Sequence, residues 1–341
     1  MAHLQGMRMV VRTPDELIAA LPHLLGFKPD ESIVFVPMRS DIPVARVDLP
    51  TTPIDRELVW RYLRDAFSRY GGTRASVGIV CVTDDRTYAD VVGREFADRL
   101  DSIGIGTQMR LWANDSHWSD LDSGESGLQT ESARERIAAM TVLAGQAQPA
   151  ASRGSLATSL VGDREPVAKL LPQAREAARL STPRAESRWA LGRLNQFHAN
   201  GHLLSDGDAA RLLVAIVSIP IRDRLLDDMN RSATGSHVAL WTDMTKRAPD
   251  EVRAAPASML AFASWQNGNG AMAWCALDQV PQDKPYSLAG VVATAVQTGM
   301  HPREWEAIRS QHPDRGPDLG SDFPTQQGRA QPSPDRPEHG M

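Results

Sequence analysis

Carboxylates carry the first candidate chemistry of this chain. Asp48, Asp84, Asp85 and Asp115 each follow an apolar run of strand type. That places them at the carboxyl ends of strands, where open α/β sheets bind ligands. Oxygen donors there could hold Mg²⁺ and leave waters on the ion for a phosphate-bearing substrate. Asp84 and Asp85 have a competing reading as a helix start, where Asp satisfies free backbone N–H groups and complements the dipole.

Other chemistry-bearing patterns are weaker. His198 and His202 stand four apart, a spacing at which two imidazoles can share a metal on one helix face. Yet Gly201 ends the helix there, and a histidine near a helix C-terminus is favoured by the dipole alone. Asp120-x-Asp122-x-Gly124 lacks the fifth and twelfth ligands of a calcium loop and reads as a solvated acidic loop. Gly104-Ile105-Gly106 follows a helix and precedes a strand, the reverse of a pyrophosphate loop, and Met109 stands where a third glycine belongs. No Gly-x-Ser-x-Gly elbow or cysteine-nucleophile motif occurs. Cys81 and Cys275 lie in apolar runs without CxxC company, as buried thiols in a reducing compartment would.

The elements that must position these residues change along the chain. Thr13-Pro14-Asp15-Glu16 and Thr52-Pro53-Ile54-Asp55 are helix starts with a cap, a proline in the first turn and an acid three residues on. Apolar periodicity then predicts helices to Gly26, to Gly71-Gly72, and from Thr83-Asp84-Asp85 to Ile103. Strands are predicted at 33–36, 44–47, 77–82 and 107–112, the third apolar enough to be buried on both faces. This order predicts an α/β domain over 8–112 with a small mixed, partly parallel sheet.

Residues 113–130 carry Asp115, Asp120, Asp122 and Glu125 without a basic residue and read as an acidic loop or linker. From 131 to 310 the pattern is helical throughout, with Pro172 expected to break one helix and Pro220 to separate two others. The tail at 311–341, rich in Pro, Gly, Asp and Gln, is expected to be disordered. In the helical part, 256–266 and 269–280 read as an αα-hairpin around Asn267-Gly268-Asn269-Gly270, with Pro285 closing the second helix. Ala273 five residues after Gly268 and Pro285 seventeen after it give a tetratricopeptide-like spacing, though no second 34-residue unit follows. Were this half to present a surface to a peptide or protein, Trp241, Trp265, Gln266 and Trp274 would be the anchors. Each is more commonly a core residue.

The totals set outer limits. At 341 residues, 42% hydrophobic and 23% charged, the chain has the composition of a globular protein with room for two cores. A formal net charge of −5 and the absence of any Lys/Arg run argue against a general nucleic-acid footprint. No apolar run approaches a membrane span, and no signal-peptide order opens the chain, so a cytoplasmic location is expected.

Several stretches together resemble the actinobacterial domain-of-unknown-function family numbered 4192. They are Pro22–Pro29 with Ser32, Ala45–Pro50, Asp208–Leu213, Leu240–Asp243, Arg247–Pro249, and the 268–277 hairpin with Tyr286–Ala289. The match keeps its order over roughly residues 8 to 300, and implies a fold and a bacterial cytosolic setting without a reaction. Members often carry cysteines in an aromatic stretch after the fourth strand; here Leu111–Leu128 has Trp112 and Trp118 but no cysteine. The expected role is a non-enzymatic binding or adaptor protein using its helical half. The alternative is a metal-assisted hydrolase or nucleotide-binding enzyme using the strand-end carboxylates.

Overall fold

A computed structural model describes residues 11–38, 42–71, 75–143, 148–229, 234–283 and 285–305. Helix α1 (Pro14–Leu25) starts where the sequence predicts, with the Thr13 hydroxyl accepting from the Glu16 N–H. Leu17, Ile18, Leu21 and Leu25 turn inward, and Gly26 stops the helix at φ +80°. Strands β1 (Ser32–Pro37) and β2 (Ala45–Asp48) form the expected antiparallel pair. Helix α2 (Pro53–Tyr70) carries a complete capping box between Thr52 and Asp55. Strand β3 (Ser76–Val82), helix α3 (Arg86–Asp101) and strand β4 (Gly106–Ala113) make a crossover unit, and β3 and β4 run parallel.

The sheet does not end there. Strands β5 (His117–Asp120) and β6 (Ser126–Leu128) add to β4 antiparallel, giving six strands in the order β2-β1-β3-β4-β5-β6. The acidic stretch expected to be a linker is therefore sheet over much of its length. Its acidic residues make the turn: the Asp120 carboxylate accepts from the N–H groups of Asp122 and Ser123 at 2.8 and 2.9 Å. Asp122 in turn pairs with Arg110, a buried β4 guanidinium that also reaches Asp90 of α3 at 2.7 Å. One cation thus ties the outer strands to the crossover helix.

Alternation along the strands sorts the core into two clusters. Ile33, Phe35, Ile79 and Cys81 face α2 and α3, where Phe35 meets Phe67 and Phe96 edge-on at 5.5 Å. Val34, Val36, Val80, Leu111 and Ala113 face the other way and join a cluster that contains α1 and continues through the helical half. Sheet and helices share that core without a break.

The helical half comprises α4 (Glu131–Leu143), α5 (Arg153–Thr158), α6 (Glu165–Leu180), α7 (Pro183–Asn200), α8 (Asp206–Ala215), α9 (Ile219–Leu226), α10 (Thr234–Arg247), α11 (Ala254–Gln266), α12 (Gly270–Leu277) and α13 (Ser287–Gln297). Pro172 lies on the exposed side of α6 and does not break it, because Val167, Leu171 and Ala174 hold the opposite face in the core. Pro220 sits in the first turn of α9, where its missing N–H has no partner to lose. Every residue of α11 from Ala255 to Gln266 is buried, so this helix is the centre of the half.

Helix α12 follows as the expected hairpin, capped by Asn269, but ends at Leu277 after eight residues. Pro285 lies beyond it and closes no helix, so the hairpin departs from the expected spacing. The turn is wedged against α1: a Cβ built on Gly26 would lie 2.6 Å from Asn269 Nδ2. Of the helix expected at 302–310, the part from 306 and the tail at 311–341 lie outside the described residues.

Candidate metal centre

Three helical elements bring two imidazoles and a carboxylate together. Helix α7, capped by Thr182, turns Ala190, Leu194 and Phe197 inward, and His198 sits half-buried beside Phe197. Helix α10 buries His237, Leu240, Trp241 and Met244, the i, i+3, i+4, i+7 face of an amphipathic helix, so His237 holds a core position with no exposed surface. Asp228 comes from the turn after α9.

Asp228 Oδ2 lies 3.4 Å from His198 Nε2 and 3.5 Å from His237 Nε2. These separations are too long for well-formed hydrogen bonds, and neither Nε2 has such a partner. The rings lie edge to face with centroids 4.5 Å apart at 68°. One ligand atom from each residue falls within 4.8 Å of the other two. An ion bonded to N and O donors at about 2.0–2.1 Å in tetrahedral geometry separates them by roughly 3.3–3.4 Å, which matches both carboxylate–imidazole distances.

The electrostatics favour the ligand form of both imidazoles. Burial lowers the pKa of His237 to about 4, helped by the neighbouring His198, while the Asp228 carboxylate works in the opposite direction. Burial also lowers His198, again opposed by Asp228. Both rings are therefore neutral at pH 7, and the neutral ring is what coordinates a metal. Without a cation, each buried, unpartnered nitrogen carries a desolvation cost of about 1–3 kcal/mol. An ion would remove it.

The strand-end aspartates are placed otherwise. Asp48, Asp84, Asp85 and Asp115 lie at the same end of the strands, yet they do not form a comparable group; among the described residues His198, Asp228 and His237 do. Asp48 pairs with Arg46 at 2.5 Å on strand β2. Asp84 is exposed, and Asp85 caps α3 by accepting from the Tyr88 N–H at 2.9 Å, the helix-start alternative. Asp115 pairs with Lys28 at 2.8 Å, whose ammonium holds its carboxyl below the usual range.

The four proposed anchors divide unequally. Trp241 is fully buried, and Trp265 and Gln266 nearly so. Trp265 donates Nε1–H to Met300 O at 3.0 Å and meets Phe262 and Trp305 edge-on. These three are core residues with almost no surface for a partner, which leaves half-buried Trp274. His202 lies exposed beyond the Gly201 cap and has no part in the metal cluster. The sequence offered one signal for the neighbour of His198: a histidine on the apolar face of α10.

A family model described as "Domain of unknown function (DUF4192)" matches residues 14–303. No curated protein and no solved structure matches the chain.

Proposed function

The chain belongs to the DUF4192 family, and from that premise we propose that it is a metal-binding protein holding one divalent first-row transition ion on His198, Asp228 and His237. The observation that carries this is a half-exposed carboxylate facing two unpartnered imidazole nitrogens at 3.4 and 3.5 Å, with all three ligand atoms within 4.8 Å of one another. Two nitrogens and one oxygen suit Zn²⁺, whereas Mg²⁺ prefers an all-oxygen set. The reading moves the metal from the strand ends to the helical half. It also narrows the binding role of that half from a partner protein to an ion, since three of the four proposed anchors are core residues.

The test is direct. Protein stripped with chelator should take up one equivalent of Zn²⁺ by calorimetric titration, and should gain about 2.7 kcal/mol of stability at a hundredfold excess over Kd. His237→Ala and Asp228→Asn should each abolish tight binding. A wild type that takes up no stoichiometric Zn²⁺, or a His237→Ala variant that binds it equally well, overturns the proposal.

A further inference from the structure

The residue before His237 does something a ligand list omits. Ser236 Oγ lies 2.5 Å from His198 Nδ1, across from α10 to α7. We infer that Ser236 is a positioning residue of the metal centre, holding His198 by Nδ1 so that Nε2 addresses the ion; this rests on the metal-binding reading above.

An imidazole has two nitrogens, and a neutral ring carries one proton. If that proton sits on Nδ1 and is donated to the Ser236 hydroxyl oxygen, the Nε2 lone pair is free to coordinate. The other tautomer would put N–H on Nε2, aimed at the space the ion needs. A serine hydroxyl can accept or donate, so it serves either tautomer; with an ion on Nε2, the atom 3.4 Å from Asp228 Oδ2, the proton must lie on Nδ1 and Ser236 Oγ stands ready to accept it. The same contact fixes the ring plane, which lies edge to face against His237 at 68°. Because Ser236 and His237 are adjacent on one helix, the hydroxyl that orients one ligand and the imidazole that is the other move together. Hydrogen bonds of this kind to the second nitrogen of a metal-bound histidine typically matter 10- to 100-fold in affinity.

The experiment compares wild type, Ser236→Ala, Ser236→Thr and His237→Ala, with Zn²⁺ affinity measured by competition against a chromophoric chelator. Nitrogen-15 NMR of the His198 ring with Zn²⁺ bound reads which nitrogen holds the ion, expected to be Nε2. Ser236→Ala should weaken Zn²⁺ binding about 10- to 100-fold. Its metal-free form should still unfold cooperatively, and Ser236→Thr, which keeps the hydroxyl, should recover most of the affinity. If Ser236→Ala binds as tightly as wild type while His237→Ala does not, the positioning role is wrong and the metal site stands. If Ser236→Thr binds as weakly as Ser236→Ala, the hydroxyl is not the agent and the inference fails. If the wild type binds no Zn²⁺, the metal reading itself falls and this inference falls with it.

Discussion

Replacing Gly26 with alanine should cost about 2–3 kcal/mol, from two separable sources. Gly26 holds φ +80°, the left-handed region, where an L-residue pays about 1–2 kcal/mol. It cannot relax cheaply, because its carbonyl accepts from Ala150 N at 2.9 Å and its N–H donates to Pro22 O at 2.8 Å. The new Cβ would also stand 2.6 Å from Asn269 Nδ2, so that side chain must turn away. Asn269 Oδ1 accepts from Met272 N at 2.9 Å to cap α12, and losing a cap costs about 1 kcal/mol. Urea unfolding of wild type, Gly26→Ala, Asn269→Gly and the double variant separates the two. In the Asn269→Gly background the alanine should cost only the backbone part, about 1–2 kcal/mol. A Gly26→Ala loss below about 0.5 kcal/mol, or one unaffected by Asn269→Gly, would refute the wedge between α1 and the hairpin.

Other consequences can be checked more briefly. The Arg211 guanidinium, at 2.8 and 2.9 Å, holds the buried Glu186 carboxyl below its usual range. Its stabilisation is therefore present above the unfolded carboxyl value of about 4.3 and is lost as pH falls through the lower folded value. Glu186→Gln should cost about 1–3 kcal/mol at pH 7, and urea titrations should show that difference shrinking below about pH 4. Burial pushes the Cys81 thiol up to about 12 and raises Cys275 as well. Iodoacetamide at pH 8 should label neither cysteine except at the rate of unfolding, and rapid labelling of either would contradict the packing. Thr52→Ala removes the cap and the reciprocal bonds with Asp55, so it should cost about 1 kcal/mol by thermal or urea unfolding.

The first half of the fold was legible where local chemistry is strong. Thr52 and Asp55 form the reciprocal box their spacing predicts. Thr13 caps α1 as expected, although Glu16 reaches back to Arg12 N rather than Thr13 N. The β1–β2 and β3–α3–β4 units follow from apolar periodicity. Strands β5 and β6 were hidden because they are three or four residues long and made of Ser, Gly, His and Asp beside one Trp and one Leu. Their pairing comes from β4 and from Arg110 holding Asp122, neither of which is a local signal. The cluster of His198, Asp228 and His237 was hidden for the same reason. His198 was weighed against His202, four residues on, while its real neighbours lie thirty and thirty-nine residues away on other elements. No periodicity links positions that meet only after α7, α9 and α10 have packed. For Trp265 the more common reading, a core residue, is the one the structure shows, with its Nε1–H bonded to Met300 O.

The two covers of the sheet arrive at different times during synthesis. The face carrying Ile33, Phe35 and Ile79 is roofed by α2 and α3, which lie between its own strands in the chain. The face carrying Val34, Val36 and Val80 shares a cluster with residues as far along as Trp305. On a ribosome adding 5–20 residues per second, roughly 170 residues separate the end of β6 from the end of α13, or roughly 10–30 s. For that interval a nascent sheet has part of its greasy side uncovered. A chain stalled after residue 128 should therefore be a chaperone client and prone to clumping.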